Sequence, residues 1–319
     1  IGRGALNANT TADDNTAVGY NALTANTTGT DNTAVGKSAL AANTTANNNV
    51  AVGENALLSN TTGYYNTCVG ANVAQANTTG QQNVAMGSGA LFANTTGNYN
   101  TAIGHAALET NTTADGNTGV GQAALYANTT GADNTAVGDR SLTSNTTGTD
   151  NVAVGFYALN GNTTASGNTA VGDRAMQTCS TGPGNTAVGQ SSVRSLTTGA
   201  YNTGIGYIAL NAVTTGGYNT ALGFYAGKGI TTASNNVCIG SDAGRSLTTS
   251  PDNTAVGTNA MYTATTGEAN VAVGKDALKS LTSNNYNTAV GQSALYSNTA
   301  SSNTAVGSSA LYANTSGAS

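Results

Sequence analysis

The chain repeats itself every seventeen residues, and that period leaves few folds open to it. Asn15 to Asp31 reads NTAVGYNALTANTTGTD, and the opening Asn returns at 32, 49, 66, 83 and so on to 287, then once more at 303 after a rung of sixteen. A short fixed period is the mark of a solenoid, in which each coil can bury its apolar face only against its neighbours. The expected architecture is all-β: a parallel β-solenoid, or β-roll, of about nineteen rungs with two short strands in each. Residues 1–319 read as one continuous array without separate domains. Ile1 and Gly2 fit the end of a repeat motif, so the chain is read as an excerpt from a longer array.

Numbering the rung from its Asn, positions two and four carry β-branched or other apolar residues two apart, which is strand periodicity. Position two is Thr or Val, and position four is always apolar, as in Val18, Met86, Ile103 and Leu222. Both are expected to point into the coil. Position three should then face outward, yet it is only ever Ala, Gly or Cys; the column Ala17, Ala34, Ala51, Cys68 is read as a close-packing or association surface. Gly at position five (Gly19, Gly36, Gly53, Gly70) implies a corner with positive φ or an approach too close for a Cβ. The next two residues vary without restraint, as an exposed turn would. Leu at position nine is the largest regular core side chain.

Position twelve is Asn from Asn9 to Asn162, then Cys179, Leu196, Val213, Ile230, Leu247, Ala264 and Leu281, and Asn again at 298 and 314. A site that exchanges Asn for Leu, Val and Ile is a buried one. Asn26, Asn43, Asn60 and Asn77 are therefore expected to stack as a hydrogen-bonded ladder, which spares each amide the few kcal/mol of unsatisfied burial. The same Asn-Thr-Thr triplets are N-glycosylation sequons, and a glycan could not leave from an interior side chain. Asn at position one is expected to fix a turn through a side-chain-to-backbone bond.

Composition closes off several functions. Charged residues are 7% of the chain, and the net charge of −5 includes no basic cluster, so a nucleic-acid partner has no electrostatic footing. No apolar run is long enough to insert in a bilayer. The three cysteines read as small buried thiols: at ~4.8 Å per rung, Cys68 and Cys238 lie far beyond disulfide reach. His105 is alone at the variable sixth position, and the aspartates before the opening Asn give way to Tyr, Gly or Gln in other rungs. Gly223 to Lys228 imitates a phosphate loop but lacks its spacing and its Ser or Thr. No catalytic residue, cofactor or metal site is expected.

The motif Asn-Thr/Val-Ala-Val/Ile-Gly, as in Asn151 to Gly155 or Asn270 to Gly274, resembles the head repeats of trimeric autotransporter adhesins and the related shaft repeats of bacterial surface and phage tail-fibre proteins. The resemblance implies a left-handed parallel β-roll, three chains side by side, and small residues at the subunit contact. It further implies an extracellular or cell-surface setting, a non-enzymatic structural fibre or adhesin shaft, and as partners other copies of the chain, in a lateral trimer or filament, and host or surface glycans. The alternative reading is an ice-binding or glycan-binding solenoid surface.

Overall fold

A computed structural model of the protein describes residues 1–315. It is all-β and solenoidal, and it divides between Thr164 and Ala165 into two compact units. In the first unit, each rung from Thr16–Val18 to Val152–Val154 contributes one three-residue strand, paired in parallel and in register, so that Val18 lies beside Val35 and Val35 beside Val52. The second unit repeats this from Thr169–Val171 to Thr304–Val306 and adds a short pair, Ser297–Asn298 with Ala313–Asn314.

One strand per rung forms where two were expected. The Thr-Thr pair is a bend: the amides of Thr27 and Thr28 both converge on the carbonyl of Thr44, at 2.9 and 3.2 Å. Two donors sharing one acceptor cannot continue the alternation a strand needs. The rungs are nonetheless bonded all the way round. Thr16 N–H donates to the Asn32 carbonyl, Gly36 to Val18, Leu23 to Ala39, and Ala25 to Ala41. This answers the first demand of a solenoid, that a chain with so little core satisfy its backbone.

The corner glycine is required twice over. Gly53 has φ +137°, a region closed to side chains, and a Cβ there would lie 2.2 Å from the carbonyl oxygen of Gly70 in the next rung. Elsewhere the coil accepts strain, for Leu at position nine is also left-handed, with φ of 52° at Leu23 and 49° at Leu40. Each such residue costs about 1 kcal/mol, which the complete burial of the Leu side chain offsets.

The inside and outside of the strand are the reverse of expectation. Ala34, Ala51 and Cys68 are completely buried within the chain's own coil and Ala17 nearly so, while the flanking Thr and Val face out. The association reading of the alanine column is thereby corrected. The physical reason is the narrowness of the coil, whose interior is already filled by Leu at position nine. A Cβ added at Gly119 would lie 3.3 Å from Leu108 Cγ, and one added at Gly204 would lie 2.5 Å from Val193 Cγ2. Small size at position three is thus imposed by the neighbouring rung. The two cysteines there confirm the trade in volume: Cys68 shares its rung with Ala74 in place of Leu, and Cys238 shares its rung with Gly244.

Candidate functional site

Two faces carry chemistry that can be read: the ladders inside the coil and the constant columns outside it. Inside, Asn43 Nδ2 donates to Asn26 Oδ1 at 2.9 Å and to the Ala46 carbonyl at 3.1 Å, and Asn60 and Asn77 continue the pattern. Each amide reaches both the rung before it and its own corner, so burial costs it little. Asn26, Asn43, Asn60 and Asn77 expose no surface at all. A glycan on any of them would require the rung to open.

Position one fixes its turn as expected, Asn49 Nδ2 donating to the Asn47 carbonyl at 3.2 Å, and it also forms a second ladder. Asn49 N–H and Nδ2 both reach Asn32 Oδ1, at 3.0 and 3.2 Å, and Nδ2 also donates to the Gly63 carbonyl at 3.0 Å. The signal for the ladder was present: an Asn that served only a turn would exchange with Asp, Gly or Ser, and this one never changes from Asn15 to Asn303.

The thiols lie in the same interior. Burial pushes Cys68 and Cys238 up to about 12 and Cys179 to about 11, so all three stay protonated and unreactive at neutral pH. Cys179 Sγ lies 3.3 Å from the Gly182 carbonyl, a thiol standing where Asn stands elsewhere. Among the described residues no group of three His, Cys, Asp or Glu is placed to hold a metal ion. His105 sits exposed on its turn.

Outside, the strand presents two columns. All eighteen three-residue strands have Thr or Val at position two and Val, Ile, Leu or Met at position four. Val18 is 38% exposed, Leu222 45% and Met86 48%. A third constant column runs along the bend at position fourteen. It is exposed Thr from Thr11 to Thr266, whereas the Thr before it turns its hydroxyl to the next rung, as Thr78 does to the Thr95 carbonyl at 2.9 Å. By contrast, positions six and seven carry Tyr, Lys, Glu, His, Asp and Phe in no order, and the surface hollow of about 240 Å³ beside Thr45, Asn47, Tyr64 and Tyr65 is open to solvent. No helix is long and apolar enough to cross a membrane among the described residues. Comparison with protein-family models, with curated proteins and with solved structures finds no match.

Proposed function

We propose that the chain is a structural shaft of an extracellular fibre, without catalytic activity, and that the face made by positions two and four is where copies of it meet. One observation carries this reading. Solvated strand faces accumulate Lys, Glu and Gln, yet neither column contains a single charge through eighteen strands. An in-register sheet face with one apolar column and one column of Thr or Val, left open to water without a charge, is a patch of the kind that marks an interaction surface. Here it is kept clean, as a surface that is covered in use would be. The resemblance to trimeric adhesin repeats supports the same arrangement, with the contact moved from the alanines to the Thr and Val columns.

The test is the mass in solution. Light scattering on the purified chain should report a stable oligomer, and Val52→Lys with Val120→Lys should dissociate it while far-ultraviolet circular dichroism stays unchanged. A monomer at tens of micromolar before any substitution would overturn the reading. A second reading, ice binding, is favoured by the outward position-two threonines, which stand in strict register. Thermal hysteresis measured on the same preparation decides between them, since a face buried between copies cannot bind a lattice. The mixed sizes at position four, from Val to Met, favour association.

A further inference from the structure

The most irregular surface of the second unit lies on two successive turns. Tyr207 and Phe224, both at position six, stack at 5.5 Å with 16° between planes, and Tyr225 closes on them at 5.7 and 4.0 Å. Lys228 Nζ stands 4.7 Å from the centre of the Tyr225 ring, and Arg245 lies between Tyr225 and Tyr262 at 4.9 and 5.4 Å. Arg245 is also paired with Asp242 at 2.7 Å, and Ser241 Oγ donates to the other oxygen of that carboxylate at 3.1 Å. Lys228 has no carboxylate partner among the described residues.

Several features set this cluster apart from chance stacking. Tyr207 and Phe224 are 41% and 47% exposed, and position six elsewhere in the unit is Asp, Gln, Ser, Thr or Lys. The rung of Phe224 and Tyr225 gives up its core Leu for Gly227, whose lost volume is refilled by Leu210 of the rung before, 2.9 Å from where a Cβ would stand, and by Ile230 at 3.1 Å. A rung that departs from the repeat inside and out at once is the kind of exception a site requires.

We propose that Tyr207, Phe224, Tyr225, Lys228 and Arg245 form a binding patch for an acidic saccharide, a chain of hexuronate residues. The exposed rings offer the flat apolar surface that the C–H faces of a sugar require, with cation–π contacts holding the cations beside them. Lys228 supplies the unpaired charge for a carboxylate, while Asp242 and Ser241, whose single O–H is already given to that carboxylate, supply acceptors for sugar hydroxyls. A nucleic acid fits poorly, because it needs a track of cations along its phosphates. Here one of the two cations is neutralised by Asp242.

The experiment is a calorimetric titration of the intact chain with tetragalacturonate at low salt, with maltotetraose and a thymidine decanucleotide as comparisons. Phe156, which packs on Tyr157 at 4.5 Å in the first unit, provides an internal control. Tetragalacturonate should bind, and both Phe224→Ala and Lys228→Gln should weaken it by about tenfold or more. Phe156→Ala should bind as the unaltered chain does. Circular dichroism and oligomer mass should be unchanged in all three variants, which separates this site from the association face. Failure of tetragalacturonate to bind, equal binding of maltotetraose, preference for the oligonucleotide, or indifference to Phe224→Ala would each overturn the proposal.

Discussion

The two units build the same coil around different centres. In the first, position twelve is Asn in every rung through Asn162, and the ladder is closed amide to amide. In the second it passes through Cys179, Leu196, Val213, Ile230, Leu247, Ala264 and Leu281, all fully buried, before Asn returns at 298 and 314. The charge differs too: three basic residues against nine acidic in the first unit, six against five in the second. What does not differ is the ladder at position one, which Asn134 and Asn151 continue in one unit just as Asn202 and Asn219 do in the other. Register therefore rests on position one. Position twelve is left to be either a satisfied polar column or an apolar one, since replacing both partners of a buried hydrogen bond by apolar groups can be nearly neutral.

If that is right, the largest effect should ignore the difference between units. Gly53→Ala and Gly257→Ala would each drive a Cβ into the next rung's backbone, to 2.2 Å from the Gly70 carbonyl oxygen and 2.6 Å from that of Gly274, at φ of +137° and +127°. Each should cost about 4 kcal/mol or more. Chemical denaturation with amide exchange in the altered rung would measure it, and a much milder effect in either unit would break the common-coil account. The next effect should depend on the column. Asn94→Leu strips a donor from Asn77 Oδ1 and an acceptor from Asn111 Nδ2, so it should cost about 2–4 kcal/mol. Replacing Asn77, Asn94 and Asn111 together should cost less than three such changes added, because the interior of the column then loses both partners of each bond. Strict additivity in a denaturation series would show that position twelve is not exchangeable after all.

The cysteines sharpen the comparison more gently, since position three is small in both units. Cys238→Ala should cost about 1–2 kcal/mol, the loss of a sulfur that fills the space left by Gly244. Titration gives the same contact another reading. A thiol held at about 12 when folded and near 9.0 when unfolded keeps its proton only in the folded state across that interval. The stability it contributes is full below pH 9.0 and falls as pH rises toward 12. Denaturation midpoints should therefore fall over that range in the unaltered chain, and fall less in Cys68→Ala and Cys238→Ala. An aromatic disulfide reagent at neutral pH should find no thiol until the chain unfolds.

How much of this could be read from the sequence depends on what the period could distinguish. Seventeen-residue recurrence places the strand, the glycine corner and the buried ladder at position twelve, because each has a substitution pattern that one environment alone allows. Asn exchanging for Leu can only be interior. The sense of the strand was not legible by the same means. Val at position four and Ala at position three are each compatible with either side, and the ordinary expectation that the larger apolar residue is inside fails in a coil already occupied by Leu23 and its equivalents. Only the pairing of exceptions could have decided it: Cys68 where Leu has become Ala74, Cys238 where it has become Gly244. The aromatic patch was hidden for another reason. Tyr207, Phe224 and Arg245 sit at positions that vary freely, and nothing in a variable column marks three neighbours as belonging together until the rungs are stacked.

The smallest effect isolates what the two units share on the bend. The hydroxyl of Thr78 donates to the Thr95 carbonyl at 2.9 Å, and in the second unit Thr197 donates to Thr214 at 3.1 Å. Thr79 and Thr198, one residue on, are exposed and their hydroxyls bond to nothing within the described residues. Thr78→Ala and Thr197→Ala should therefore cost about 1 kcal/mol each, and Thr79→Ala and Thr198→Ala less than about 0.5 kcal/mol. Denaturation of the four variants side by side checks both contrasts. Equal losses at Thr78 and Thr197 would mean that the bend does not sense whether Asn77 or Leu196 lies beneath it. A clearly larger loss in one unit would mean that the column inside and the hydroxyls outside act together, so that the exchange of Asn for Leu reaches the surface of the coil.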